Sequence, residues 1–223
     1  MYIPKLFNNT NSDEIIAFIK QNSFAILINQ VDNRPWGTHI PLLLEEDELG
    51  NQFLFGHISK ANEQWKSIDS TNEVLAIFSG PQTYVSSSWY NHENVPTWNY
   101  TAVHIYGKAS ILEEEELYEQ LGKMMKKYEA NSSKPKVFEK IPQELIRTEM
   151  KGIVGIRIAI TEIQAVEKLS QNRDADNHKL IVEELEKSTD YQAQQIAKEM
   201  KKKKNNNKQQ NAIPFKTYSY PFL

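Results

Sequence analysis

Three short stretches hold side chains whose types and spacing could do chemistry. In GHISKAN, 56–62, a glycine, a histidine, a hydroxyl and an ammonium follow one another where an apolar run gives way to a polar one. Gly56 would let the backbone approach a ligand closely, and Ser59 has the identity of a helix N-cap. A helix opening there leaves free amides and a dipole that favour an anion, and Lys60 adds a full positive charge beside them. A phosphate is the natural occupant. Taken alone, the same residues also make an ordinary capped helix with a solvated lysine. In KLSQNR, 168–173, Lys168, Ser170, Gln171, Asn172 and Arg173 offer two cations, a hydroxyl and two carboxamides. Carboxamides both donate and accept, which suits the edge of a heteroaromatic ring. A plain polar turn uses the same residues, but their density favours binding. The third stretch, VPTWNYTAVHIYG at 95–107, reads with period two as a strand from Pro96 to Gly107. Trp98, Tyr100, Ala102, His104 and Tyr106 line one side; Asn99, Thr101, Val103 and Ile105 line the other. A row of rings with polar tips suits neither a plain core nor a plain solvent face.

Other chemistries lack their residues. The chain has no H-E-x-x-H, G-x-S-x-G, Walker or G-x-G-x-x-G motif. His39 and His57 could meet across neighbouring strands, but zinc would want a third ligand that the sequence does not supply. No metal site is expected, and no residue reads as a catalytic base. Zero cysteines exclude disulfides, thiolate metal sites and thiol catalysis, and fit a reducing compartment. All four tryptophans and four of the five histidines fall between 36 and 104, the density expected where a planar ligand or a tight aromatic core is built.

The elements that must position these residues follow from periodicity. Asn11 to Glu14 is an N-cap signal ahead of Ile15, Phe18 and Ile19, predicting a helix over about 12–21. FAILINQ (24–30) reads as a buried strand and DNRPWG (32–37) as a turn, with Gly37 free to take positive φ. THIPLLLEE (38–46) and QFLFGHI (52–58) are strands joined by a turn at 47–51. Residues 60–69 take helical habit after Ser59. EVLAIFSG (73–80) returns to strand and continues after a break at Pro81. A helix is expected over 113–129, acidic at its start and lysine-rich at its end, matching the helix dipole. The last long strand is 151–169, with Gly152 and Gly155 as bulge or close-approach sites. Strands at short spacing argue for an antiparallel barrel or sandwich, mainly β with flanking helices.

A domain over 1–173 is therefore expected, then a helical C-terminal extension over 174–200. The low-complexity run from 201 to 223, with KKKKNNNKQQN, is expected to be disordered and solvated. The net charge of −3 splits unevenly: residues 1–111 carry 11 acids and 6 bases, and residues 112–223 carry 18 and 20. No global field favours nucleic acid or an anionic membrane. With no helix-turn-helix pattern or basic recognition helix, DNA contact has no motif behind it. Met1 to Phe7 has neither a charged nor an apolar leader region, and no apolar run reaches membrane-spanning length, so a soluble cytoplasmic protein is expected.

The order and wording of MYIPKLF, GHISKANEQW, FSGPQTYVSSSWY, VPTWNYTAVHIYG and IVGIRIAITEIQAVEKLSQNR resemble the PaiB family over about residues 1–185. The resemblance implies an FMN-binding split barrel of the pyridoxamine-phosphate-oxidase type, a homodimer, and a role as a negative transcriptional regulator. It implies FMN as cofactor, lying between subunits against the ring-bearing side of 95–107. Lys60 matches the basic residue that reaches the FMN phosphate in related split barrels. His39, Gly56, His57, Ser59, Asn62, Trp98, Asn99, Lys168, Ser170, Gln171 and Asn172 complete the expected cofactor-binding set, with His39 on a strand beside that of His57. The chain departs from the family at Glu63 and Ser87, where prolines are usual, which relaxes loop stiffness without removing ligands. A flavin-dependent oxidoreductase using NAD(P)H is the alternative function, and a cofactor-free structural dimer the second alternative.

Overall fold

The computed structural model describes residues 1–212, with side chains through 204. The chain divides into two compact units. One holds Met1–Tyr2, Asn8–Gly80 and Ala102–Ala165; the other holds Ile3–Phe7, Pro81–Thr101 and the chain from Val166 on.

The first unit starts with α1 (Ser12–Gln21), as its spacing predicts: Asn11 accepts hydrogen bonds from the amides of Asp13 and Glu14, and Ile19 is fully buried. Strands β1 (Phe24–Val31) and β2 (Arg34–Pro41) form a hairpin. Its turn is only Asp32 and Asn33, with φ of 50° and 60°. Two consecutive left-handed residues match the right-handed twist of the strands. The expected 32–37 turn is thus shorter, and Pro35 and Gly37 lie within β2. Pro35 is tolerated because β2 is the last strand at one edge of the sheet. Strands β3 (Leu43–Glu46) and β4 (Gln52–Ser59) follow, then β5 (Glu73–Val85), β6 (Thr97–Ile111) and β7 (Ile153–Lys168). The seven strands run in the order β2-β1-β5-β6-β7-β4-β3, and the β1–β2, β1–β5, β3–β4 and β4–β7 pairs are antiparallel.

The two outermost strands, β2 and β3, are consecutive in the chain and separated only by Leu42, which is fully buried and donates its amide to the Ser23 carbonyl at 2.8 Å. The sheet therefore curls until its ends are joined through the chain, with no ladder sealing them: a split barrel. Leu27, Ile40, Leu54, Phe78, Ile105, Ile156 and Ile158 fill its interior. A second apolar layer lies over β3 and β4, where α2 (Glu114–Glu129) and α3 (Gln143–Met150) bury Leu117, Met124, Ile146 and Met150 against Phe53 and Phe55.

Helix α2 falls where its charge pattern puts it. Helix α3 was not foreseen; Pro142 before its first turn and the i, i+4 pair Ile146/Met150 are its signals. Strand β5 continues through Pro81, where a break is expected. Its register with β1 spans Leu75 to Ile77, so the missing N–H of Pro81 breaks no bond there. Strand β6 runs unbroken from Thr97 through Gly107 to Ile111.

The second unit contains the far ends of β5, β6 and β7, with α4 (Ala175–Lys187) and α5 (Tyr191–Ala212). Asp174 caps α4 by accepting from the amides of Asp176 and Asn177. Ile181, Val182, Leu185, Ile196 and Met200 share one core with Val85, Tyr90 and Leu169, so the expected boundary after 173 falls inside this unit. The backbone of 201–212 is helical where a disordered tail is expected. Extending a helix already anchored by Ile196 and Met200 costs far less than starting one, and Lys and Gln are good helix formers. Residues 213–223 lie outside the described residues.

Candidate functional site

The end of β4 sets the first group of candidate residues. Leu54 and Ile58 point into the barrel, so His57 between them faces outward, half-buried, opposite Gly155 of β7. Its Nδ1 is buried and has no hydrogen-bond partner among the described residues. Burial pushes its pKa below the ordinary histidine value, so the ring is neutral at pH 7. Gly56 is occupied by the protein itself: a Cβ there would sit 2.7 Å from Leu42 Cδ2 and 2.9 Å from both Ile40 Cδ1 and the Pro41 carbonyl. Its missing side chain makes room for the β2–β3 crossing, not for a ligand.

No helix opens at Ser59. The strand includes Ser59, and the next helical segment is a five-residue 3-10 turn, Glu63–Ser67. The amides that were to hold an anion have other acceptors. That of Lys60 donates to the Gly152 carbonyl at 2.8 Å, that of Ala61 to Ser59 Oγ at 3.2 Å, and that of Asn62 to the Ser59 carbonyl at 2.9 Å. What remains is the side chain of Lys60, which is exposed and makes no ion pair among the described residues. The turn that presents it is well tethered. Asn62 Nδ2 donates to Thr38 Oγ1 at 2.8 Å, and Trp65 Nε1 donates to the Lys60 carbonyl at 3.0 Å. Gln64, fully buried, donates from Nε2 to the carbonyls of Leu27 and Trp36. Thr38, Gln64 and Trp65 were missed as supports, since their partners lie 5 to 37 residues away. An exposed ammonium with no counter-ion, on a turn held at several points, fits a phosphate group.

The outer face of the sheet is apolar where solvent would favour polar groups. Ile26 of β1 lies opposite both His39 of β2 and Ile77 of β5, and Ile28 lies opposite Gly37 and Leu75. Directly opposed residues share a face. On β6, Val103 and Ile105 enter the core, so Ala102, His104 and Tyr106 turn outward and remain half-buried. The two-faced reading of this strand holds. His104 Nδ1 is buried without a partner among the described residues, and burial, with the charged N-terminus behind it, lowers its pKa. His39 is exposed on this face and stacks on Phe24 at 6.0 Å, itself 66 % exposed. Its strand pairs with β1, not with that of His57, so the two histidines are not ladder neighbours.

In the second unit most of the remaining candidates are engaged by groups of that unit. Asn99, fully buried, exchanges two hydrogen bonds with Ser170, at 2.9 and 3.1 Å, and reaches Met200 Sδ at 3.6 Å. Lys168 Nζ donates to Thr97 Oγ1 at 2.6 Å. Gln171 accepts from the Leu169 amide at 2.7 Å and donates to the Glu167 carbonyl. Asn172 is exposed, and Trp98, 54 % exposed, meets Tyr84 edge-on at 6.1 Å. Ser170 takes a φ of 59° to turn its hydroxyl onto Asn99. Ser170→Ala should therefore cost about 1–3 kcal/mol, because a buried carboxamide loses its partner. Chemical denaturation checks this. A loss of flavin affinity at unchanged stability would instead make Ser170 a ligand.

Residues 1–162 match the family described as "Putative FMN-binding domain". The chain is 43 % identical over 200 residues to the protease synthase and sporulation protein PAI 2 of Bacillus subtilis, covering 90 % of this chain and 96 % of that protein. Among solved structures it is similar to the flavocytochrome Anf3 of Azotobacter vinelandii, at 15 % identity and a TM-score of 0.56, covering 80 % and 78 % of the two chains. It is also similar to an FAD- and heme-binding protein of Mycobacterium smegmatis, at 12 % identity and a TM-score of 0.55, covering 77 % and 78 %. These two likenesses share the barrel architecture. No helix among the described residues is long and apolar enough to cross a membrane. The chain belongs to the FMN-binding-domain family: it is a split-barrel homologue of PAI 2 with FMN as its cofactor.

Proposed function

We propose that this protein is a cytoplasmic homodimeric flavoprotein that acts as a negative regulator of gene expression, with FMN held by each chain's Lys60 and the flavin ring against the outer sheet face of a second copy. The observation that carries the reading is that face: Phe24, Ile26, Ile28, Leu75, Ile77 and Tyr106 form a largely apolar patch on the outer side of the sheet, with His39 and His104 among them, of the kind that a partner covers. A second copy covers it with the same surface, as a two-fold interface requires. The buried area should exceed about 2,000 Å², the obligate range. The regulatory role rests on the relationship to PAI 2, named for protease synthesis and sporulation. Bound FMN would supply reversible electron transfer and a visible chromophore.

Lys60 tests the cofactor arrangement. With the neighbouring amides already bonded, the phosphate depends on this ammonium, and one charge-assisted hydrogen bond contributes about 1.5–3 kcal/mol. Lys60→Ala should weaken FMN binding by about ten- to a hundredfold and leave riboflavin, which lacks the phosphate, nearly unaffected. Flavin fluorescence titration reads both. Equal losses for the two ligands would mean a damaged fold, and no loss for FMN would remove Lys60 from the site. Steady NAD(P)H oxidation by the FMN-loaded protein would move the reading to a flavin-dependent oxidoreductase.

A further inference from the structure

The second unit contains a cavity of about 230 Å³ lined by residues of that unit alone. Leu169 and Met200 close its apolar side, and Arg173, His178, Lys203 and Lys204 give it a basic lining. These charges are unevenly compensated. Lys203 pairs with Glu167 at 2.6 Å, while Arg173 and Lys204 make no ion pair among the described residues. The Asp174 carboxylate nearby is engaged by the amides of Asp176 and Asn177 and by Asn177 Nδ2. A half-buried cavity with two uncompensated cations and no free acid attracts an anion.

The donors are also fixed in place. The guanidinium of Arg173 lies over the ring of Tyr90, 4.9 Å from its centroid, so its orientation is set by an aromatic platform. Its Nε–H is buried and donates to nothing among the described residues. A buried charged donor without an acceptor is costly unless something supplies one. Burial, and behind it the charge of Lys204, pushes the pKa of His178 below the ordinary histidine value. At neutral pH the ring therefore offers one donor without adding charge.

We propose that this cavity is a second anion site, distinct from the flavin site, which binds a small phosphate monoester through Arg173, Lys204 and His178. The arginine fork matches phosphate oxygens in pairs, and the lysine supplies the second charge for a dianion. The volume suits inorganic phosphate or a three-carbon ester. The shared chemistry leaves two sources, a separate phosphorylated metabolite or the phosphate of FMN, and the test separates them.

The full-length protein saturated with FMN is titrated by calorimetry with inorganic phosphate and with glycerol 3-phosphate, in a phosphate-free buffer. One site per chain is expected, weakened by added salt. Arg173→Gln and Lys204→Gln should each reduce affinity by about ten- to a hundredfold, the loss of a charge-assisted bond, and Lys60→Ala should leave phosphate binding unchanged. Should Arg173→Gln melt early through loss of its stacking on Tyr90, Lys204→Gln decides alone. Absence of binding, or binding equal to wild type in well-folded Lys204→Gln, overturns the proposal. Phosphate that binds only FMN-free protein, and is displaced by FMN, assigns the cavity to the cofactor and overturns it as well.

Discussion

Ile26→Glu should convert the protein from a dimer to a monomer. Ile26 sits mid-face on β1, opposite Ile77 on one side and His39 on the other, half-buried in the single chain. Full burial of such a side chain contributes about 1.5–3 kcal/mol, and covering the exposed half of Ile26 in a dimer contributes about half of that per chain. An isologous interface repeats every contact, so the loss is counted twice, about 1.5–3 kcal/mol before the cost of desolvating two carboxylates. That weakens the dimer by about one to two decades, and the buried carboxylates weaken it further. Light scattering at micromolar concentration should read two chains for wild type and one for the variant. Circular dichroism should be unchanged, because the side chain points away from the barrel interior. If the flavin ring lies between copies, FMN affinity falls with the dimer. A variant that stays dimeric places the contact on another surface, and a wild-type monomer removes the proposed interface altogether.

Gly107→Ala should be the most damaging of the single-methyl additions in the sheet. A Cβ there would sit 2.5 Å from the Ala159 carbonyl oxygen and 2.6 Å from Ile158 Cγ2. The first of these atoms is backbone in β7 and cannot turn aside, so the strands must separate locally. Overpacking of this kind costs about 1–3 kcal/mol, and a backbone clash belongs at the upper end. For a chain of this size each kcal/mol lowers Tm by about 2–4 °C. Gly155→Ala is expected to cost less, since the 2.8 Å contact is with Leu117 Cδ1, the far end of a flexible side chain. Gly152→Ala should be nearly neutral: the nearest atom is the Glu149 carbonyl oxygen at 3.4 Å, an ordinary contact at the edge of tightness. Thermal melts of the three variants should follow the order 107, 155, 152. Gly152 as the worst of the three would contradict the β7 environment described here.

The physical origin of what was legible in the chain can be traced residue by residue. Helix α1 was readable because its cap, Asn11, and its buried stripe are all within ten residues of one another. The two faces of β6 were readable because alternation is a local property, and burial follows it without interruption from Asn99 to Ala109. Helix α2 announced itself by charge, acidic at Glu114–Glu116 and basic at Lys126 and Lys127. The family was recognisable because its motifs are contiguous words, and 43 % identity to PAI 2 extends over nearly the whole chain.

Other features depend on contacts between distant residues, which local patterns do not encode. Ser59 has the identity of an N-cap, but whether it caps a helix was decided by Gly152, whose carbonyl takes the Lys60 amide from 92 residues away and keeps the chain extended. Gly56 has the freedom to approach a ligand, but the β2–β3 crossing fills that space with Ile40 and Leu42. Asn99 and Ser170 are both capable ligands in sequence; 71 residues apart, they are partners in the fold. Arg173 acquires its platform from Tyr90 in the same way. The sequence by itself determined α1, α2 and the strands, the two faces of the central strand and the family, because periodicity, capping charge and motif wording act over a few residues. Only the tertiary structure decided which polar groups are already bonded and which, like Lys60, remain available, because a hydrogen bond is allotted by proximity in space and each donor can be used only where the fold brings an acceptor to it.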